Sequence, residues 1–204
     1  DVYKGQYVYG NSHGFLHHTQ GSRHSMSCSV VAADDGGMQR DYWYDLARSS
    51  ADLDTPEAIG RTAAERTVRR LGGRSLPTGN YPVLFDATVA GGLIGHLVGG
   101  LSGGALYRQS SFLTDSLGTQ ILPEFLHLRE EPHIARALGS TYFDAEGVAT
   151  APRFVIEGGR VQGYFLSSYS ARKLGMRTTA NAGGAHNLHL NHTCATRADL
   201  LRQM

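Results

Sequence analysis

The sequence predicts an α+β protein, rich in antiparallel strands, and three observations lead to that expectation. Two segments, residues 25–46 and 154–166, read as strand–turn–strand hairpins. A single well-bounded amphipathic helix follows the first of them. Strands and helices nowhere alternate as regular βαβ units, which argues against a parallel sheet. The chain has 204 residues, 41% of them hydrophobic and 18% charged. That is enough for one large or two small domains around a substantial core.

Residues 3–48 read as a β meander. Tyr7-Val8-Tyr9 runs into the turn cluster Gly10-Asn11-Ser12-His13-Gly14, and Phe15 to Thr19 returns. Met26, Cys28, Val30 and Ala32 then alternate with Ser25, Ser27 and Ser29, the period of two of a strand with one buried face. Asp34-Asp35-Gly36-Gly37 supplies residues that tolerate positive φ, as a tight hairpin requires. The returning strand, Met38 to Leu46, carries Tyr42, Trp43 and Tyr44, which suit a pleated, half-buried surface.

The helix comes next. Asp54 or Thr55 can cap it, Pro56 suits its first turn, and Glu57 complements the positive end of the dipole. Ile59, Ala63, Ala64, Val68 and Leu71 fall on one face, and Gly72-Gly73 ends the helix. Arg66, Arg69 and Arg70 read as a solvated face. Arg74 to Asn80 is a candidate domain boundary. Val83-Leu84-Phe85 reads as a short strand leading into a glycine-rich helical segment, Ala87 to Tyr107. Phe154-Val155-Ile156, Gly158-Gly159 and Val161 to Leu166 form the second hairpin, and Ser168 to Leu174, stopped by Gly175, a short helix. The sequence opens at Asp1 in a strand-like pattern and closes at Met204, ends that read as cuts through a longer protein.

Charge and composition narrow the function. A formal net charge of +1 gives no nucleic-acid or membrane-surface footprint. Apolar runs stop well short of the roughly 20 residues of a membrane span. Cys28 and Cys194 lie far apart with no C-x-x-C pairing and read as reduced thiols.

Candidate chemistry is sparse. The segment Ala90 to Gly104 lacks the Lys-Ser/Thr of a phosphate loop. Gly91, Gly95, Gly99 and Gly103 recur every fourth residue, a face that would let another backbone approach closely. His96 has no second ligand one turn away, as a helical zinc site needs. His186-x-x-His189-x-x-His192, with Cys194 nearby, is a weak metal constellation, because residues three apart in a strand face opposite ways. Asp144 and Glu146 could pair, although solvated loop carboxylates are the commoner case. No Gly-x-Ser-x-Gly elbow exists, and Ser110-Ser111 lacks a local base.

Several blocks resemble a known family. Ser22-Arg23-His24-Ser25-Met26-Ser27-Cys28-Ser29-Val30, Met38-Gln39-Arg40-Asp41-Tyr42-Trp43-Tyr44 and Gly104-Ala105-Leu106-Tyr107-Arg108 are similar to PmbA/TldE sequences. So are Phe143-Asp144-Ala145-Glu146-Gly147-Val148-Ala149-Thr150 and the run from Gly163 to Met176. PmbA/TldE is the non-zinc subunit type of the TldD/PmbA metalloproteases, formerly called modulators of DNA gyrase. The resemblance implies a cytoplasmic heterodimer with a TldD-type zinc subunit, acting on unfolded proteins or leader peptides, with no nucleic acid and no membrane. It implies zinc on a His-Glu-x-x-x-His helix of the partner and no cofactor in this chain. In ungapped register, Ile94 and Gly99 replace the two histidines and Gly95 the glutamate. It also implies that residues 1–75 end an N-terminal α/β domain and that 80–204 form an incomplete, β-barrel-like C-terminal domain. Tyr107 and Arg108 are then candidate peptide or partner contacts, with no catalytic residue assigned. Two alternatives stay open: a homodimeric metallopeptidase using His186, His189 and His192, and a non-enzymatic binding protein acting on DNA gyrase.

Overall fold

The computed structural model describes residues 1–193 and 196–203. It is a mixed α/β fold with antiparallel sheets, divided into two compact units. The first comprises Asp1–Gly10, Leu16–Asn80 and Arg136–Leu138, the second Asn11–Phe15, Tyr81–Ala135 and Gly139–Met204.

The first unit is a three-stranded sheet in the order β1 (Val2–Gly10), β2 (Leu16–Asp34), β3 (Gly37–Ala47). β2 is one continuous strand of 19 residues, where the sequence suggested two shorter ones. It is held by two partners in turn. Its first half pairs with β1 from Leu16↔Gly10 to His24↔Val2, its second half with β3 from His24↔Ala47 to Asp34↔Gly37. Cys28, Val30 and Ala32 are half-buried while Ser27, Ser29 and Val31 are exposed, so the expected alternation holds there. Cys28 is a free thiol.

Helix α1 (Pro56–Val68) covers β2 and β3. Thr55 caps it, its side chain accepting the Ala58 N–H at 3.2 Å. The buried face is Ile59, Ala63 and Thr67. Thr67 can be buried because its hydroxyl donates to the Ala63 carbonyl at 2.7 Å and reaches the Val30 carbonyl at 3.4 Å. Val68, expected to face inward, is 58% exposed. The arginines are not simply solvated. Arg66 stacks over Trp43 at 5.1 Å and lies 3.5 Å from Asp41, which Arg70 approaches at 3.8 Å.

The second unit holds an open four-stranded antiparallel sheet, ordered β6 (Arg160–Val161), β5 (Arg153–Glu157), β4 (Leu128–Glu130), β7 (Leu188–Leu190). Its outer strands β6 and β7 do not pair with each other, and no closed barrel forms among the described residues. β5 and β6 are joined by Gly158-Gly159, at φ 55° and 71°, the all-positive turn that matches strand twist. The second strand of this hairpin is shorter than expected. After Val161 the chain leaves the sheet, and Phe165 forms a bridge with Ser102 instead. The core gathers Leu101, Leu106, Leu128, Val155, Ile156, Val161 and Leu166.

Among the described residues, four helices complete the unit: α2 (Ala87–Gly100), α3 (Gly103–Tyr107), α4 (Ser168–Lys173) and α5 (Arg197–Arg202). Val83-Leu84-Phe85 is not a strand. No other segment pairs with it among the described residues, Val83 and Phe85 are exposed, and Asp86 caps α2 directly after them. Among the described residues, no helix is long and apolar enough to cross a membrane.

Candidate functional site

Three of the four regularly spaced glycines lie on α2. Ile94, Leu97 and Val98 pack their side chains against the core. Gly91, Gly95 and Gly99 present an open face instead, where a Cβ would meet nothing within 4 Å. The close backbone approach expected of them is therefore not made among the described residues. His96 is exposed on the same helix.

The fourth glycine belongs to a different helix. α2 ends at Gly100, and the buried Leu101 and then Ser102 redirect the chain. Ser102 caps α3, its hydroxyl accepting the Ala105 N–H at 3.4 Å. Gly103 donates its N–H to the Phe165 carbonyl at 2.8 Å, and Phe165 donates to the Leu101 carbonyl at 3.0 Å. A Cβ on Gly103 would lie 2.6 Å from Ser170 Cβ and 2.9 Å from Leu166 Cδ2, with Ser170 Oγ nearer still. Only a hydrogen fits there, so the backbone of α3 rests directly on α4.

That contact builds a ladder of side chains. Tyr107, the last residue of α3, meets Tyr169 of α4 edge to face, with ring centres 5.7 Å apart and planes at 81°. The Arg108 guanidinium lies 5.3 Å from the Tyr107 ring centre, and its Nη1 donates to the Tyr107 hydroxyl at 3.2 Å. Lys173 Nζ lies 5.7 Å from the Tyr169 ring centre at the other end. Arg108, Tyr169 and Lys173 are exposed. Arg108 holds its place because α3 ends there: Gln109 takes φ 54° and the Ser110 N–H returns to the Ala105 carbonyl at 2.9 Å. The structure thus brings Tyr107 and Arg108 together and adds two residues the sequence reading missed. The available signal was the one-turn spacing of Tyr169 and Lys173 on a short helix.

A second polar centre lies in the sheet. The Glu130 side chain on β4 is 1% exposed. Its Oε2 accepts from Arg153 Nε at 2.7 Å, and its Oε1 from Asn181 Nδ2 at 2.8 Å and from the His186 backbone N–H at 2.9 Å. His186 Nδ1 also lies 2.9 Å from Oε1. Burial alone would raise the Glu130 carboxyl. The two His186 hydrogen bonds, the Arg153 guanidinium and the Asn181 amide together outweigh it and hold the carboxyl at about 2. An ionised carboxylate only accepts, so His186 Nδ1 carries its proton toward Glu130.

His186 is therefore engaged by a carboxylate through Nδ1, while His189 on β7 and His192 beyond it are exposed. Cys194 lies outside the described residues. Among the described residues, no group of three or more His, Cys, Asp or Glu side chains is placed to hold a metal ion. Asp144 is buried rather than solvated, accepting the Glu146 and Val148 N–H groups at 2.9 Å each and the Ala182 N–H at 3.0 Å. Glu146 accepts the Ser168 N–H at 2.8 Å, at the start of α4. These two carboxylates organise backbone; they do not form a pair.

Comparison with known proteins places this geometry. Residues 78–204 match the PmbA/TldA metallopeptidase C-terminal domain, and residues 1–71 the central domain of the same family. The chain is 48% identical over 197 residues to Metalloprotease PmbA of Escherichia coli O157:H7, covering 97% of this chain and 44% of that protein. It therefore spans less than half the length of that relative. A crystal structure of a putative modulator of DNA gyrase from Bacteroides thetaiotaomicron superimposes with a TM-score of 0.87 at 30% identity, over 93% of this chain and 43% of that one. TldE from Thermococcus kodakarensis shares the fold, with a TM-score of 0.77 at 24% identity, over 98% of this chain and 48% of that one. The chain belongs to the PmbA/TldD family of metallopeptidases.

Proposed function

We propose that this chain is part of a PmbA/TldE-type subunit that acts with a TldD-type zinc subunit in a cytoplasmic protease for unfolded proteins or leader peptides. The observation that carries the reading is the chemistry of α2. At the positions of the His-Glu-x-x-x-His motif stand Ile94, packed on the core, and Gly95 and Gly99 on an open face. Hydrocarbon and hydrogen can neither ligate zinc nor take a proton from water, so these positions do not fit a zinc ion. His96 offers a single imidazole at a variable position of the motif. Zinc and the general base are then the partner's contribution.

This chain would contribute surface to the substrate chamber. α2 runs into α3, which carries Tyr107 and Arg108, so a helix without ligands would still deliver polar and aromatic groups beside the motif. Those groups suit an extended peptide backbone. The open sheet of the second unit would be one part of a barrel-like domain in the longer relatives. The reading of a homodimer with its own metal at His186, His189 and His192 is less well supported, since among the described residues these histidines are not placed together as a metal-holding group.

The test is co-purification of the full-length protein with a TldD-type chain, followed by elemental analysis and a casein-cleavage assay. The pair is expected to hold zinc and cleave, and the isolated subunit to do neither. In the assembled pair, Tyr107→Ala with Arg108→Ala should reduce cleavage while zinc content and assembly persist. Stoichiometric zinc in the isolated subunit, lost on His189→Ala, would overturn the assignment.

A further inference from the structure

The aromatic ladder has a property that packing alone does not require: it is capped by unneutralised cations. Arg108 and Lys173 each lie near a tyrosine ring, and Arg172 is exposed beside Lys173. None of the three has a carboxylate within ion-pair distance among the described residues, whereas Arg129, Arg136, Arg153 and Arg202 do. Glu146 is the carboxylate bound to α4, but it serves the Ser168 N–H at the opposite end of the helix. Arg160, Arg177 and Arg197 of the same unit also have no carboxylate partner among the described residues, so what sets Arg108 and Lys173 apart is their seat against the two tyrosine rings.

The donors are also free to turn outward. Arg108 spends one N–H on the Tyr107 hydroxyl, which accepts it and so keeps its own O–H for another acceptor. A guanidinium fork with an adjacent phenol is suited to a carboxylate, and an ammonium provides a second, less directional anchor. The rings between them offer apolar, stackable surface at low conformational cost.

We propose that the α3/α4 ladder binds an acidic peptide segment through two carboxylates, one on Arg108 with Tyr107 and one on Lys173. This rests on the peptidase-subunit reading above and names the substrate class its surface selects. The spacing follows from the ladder. Successive steps of 5.3, 5.7 and 5.7 Å keep the two cations within about 17 Å of each other. An extended chain covers that span in about five residues. The selected segment is therefore extended, with acidic side chains up to about four positions apart and small or apolar residues between them over the tyrosines. A nucleic acid would also seek cations, but the chain carries a net charge of only +1, with no extended basic stripe to follow a phosphate backbone.

Fluorescence anisotropy on the full-length protein, alone and assembled with a TldD-type subunit, tests this directly. The probes are a labelled peptide of about ten residues with two glutamates four apart, its glutamine counterpart, and a single-stranded oligonucleotide of equal charge. The acidic peptide should bind on the order of tenfold more tightly than the glutamine peptide, and less tightly as salt rises. Arg108→Gln and Lys173→Gln should each remove most of that preference, bringing the acidic and glutamine peptides close to equal binding, and Arg108→Glu should reverse it toward a lysine peptide. Equal binding of the acidic and glutamine peptides, or a preference that survives both substitutions, overturns the proposal, as does tighter Arg108-dependent binding of the oligonucleotide. Because binding is read separately from cleavage and assembly, an assembled, cleaving pair with no acidic preference would sink this inference alone. Failure to assemble would count against the subunit reading.

Discussion

Glu130→Gln removes one charge and one acceptor from the most enclosed polar group of the second unit. The carboxyl is held at about 2 against an ordinary value of 4.5, so its ionised form is favoured in the folded state by about 3 kcal/mol. Glutamine also places an amide N–H₂ among donors from Arg153, Asn181 and His186, leaving at least one of them without an acceptor. A loss of about 3 to 5 kcal/mol at neutral pH is expected, as when one partner of a buried ion pair is deleted. The sign with pH follows from the direction of the shift. Because the folded value is the lower one, the contribution is fully present above 4.5 and is lost as pH falls toward about 2. Wild type and variant should therefore differ most at neutral pH and converge in strong acid. Trp43 is the sole tryptophan and lies in the first unit, so its fluorescence would report the wrong sheet. Urea midpoints read from amide exchange at Leu128–Glu130 and Leu188–Leu190 would report the right one. Parallel pH curves for the two proteins, or no deficit at neutral pH, would refute the reasoning.

Two further substitutions separate the glycines by role. Gly103→Ala should cost about 1 to 3 kcal/mol, because its Cβ would overlap Ser170 and Leu166, and should pull Tyr107 away from Tyr169. Thermal unfolding and near-ultraviolet tyrosine circular dichroism would show both effects, and an unchanged tyrosine signal would contradict the close-approach account. Gly95→Ala meets open space and should stabilise the isolated chain by roughly 0.5 to 1 kcal/mol through helix propensity. A lower melting temperature for that variant would show that the α2 face is occupied within the chain after all.

Local chemistry was legible in the sequence wherever it acts alone. α1 announced itself through Thr55, Pro56 and Gly72, and α4 through its stop at Gly175, because caps and stops work within a single turn. The hairpin at Asp34 to Gly37 followed from its turn residues and alternation. The continuity of β2 did not, since it depends on changing partners at His24. Val83-Leu84-Phe85 had strand composition but pairs with no segment among the described residues, and composition alone cannot supply a partner. The Glu130 centre was invisible for a related reason. Its members come from positions 130, 153, 181 and 186, and Arg129-Glu130-Glu131 reads locally as an ordinary solvated charge run. The glycine period on α2 was real, but a period cannot say whether anything lies against that face. Tyr107 and Arg108 were reached through the resemblance, whereas Tyr169 and Lys173 needed the fold.

The two-glycine turn between β5 and β6 has an evolutionary consequence. Both residues sit at positive φ, yet they are not equally constrained. Around Gly158 the nearest atom to an added Cβ is the Glu124 carbonyl at 3.8 Å, so asparagine, which tolerates that backbone region, can be tried there at small cost. At Gly159 a Cβ would run into the Leu122 carbonyl and Gln120, and would lie 2.7 Å from the Pro123 carbonyl. Its own N–H meanwhile donates to the Leu126 carbonyl at 2.8 Å. Lineages should thus be free to drift at the first position and be held to one residue at the second. A single turn would then record two rates of change, set by how far the neighbouring loop stands from each Cα.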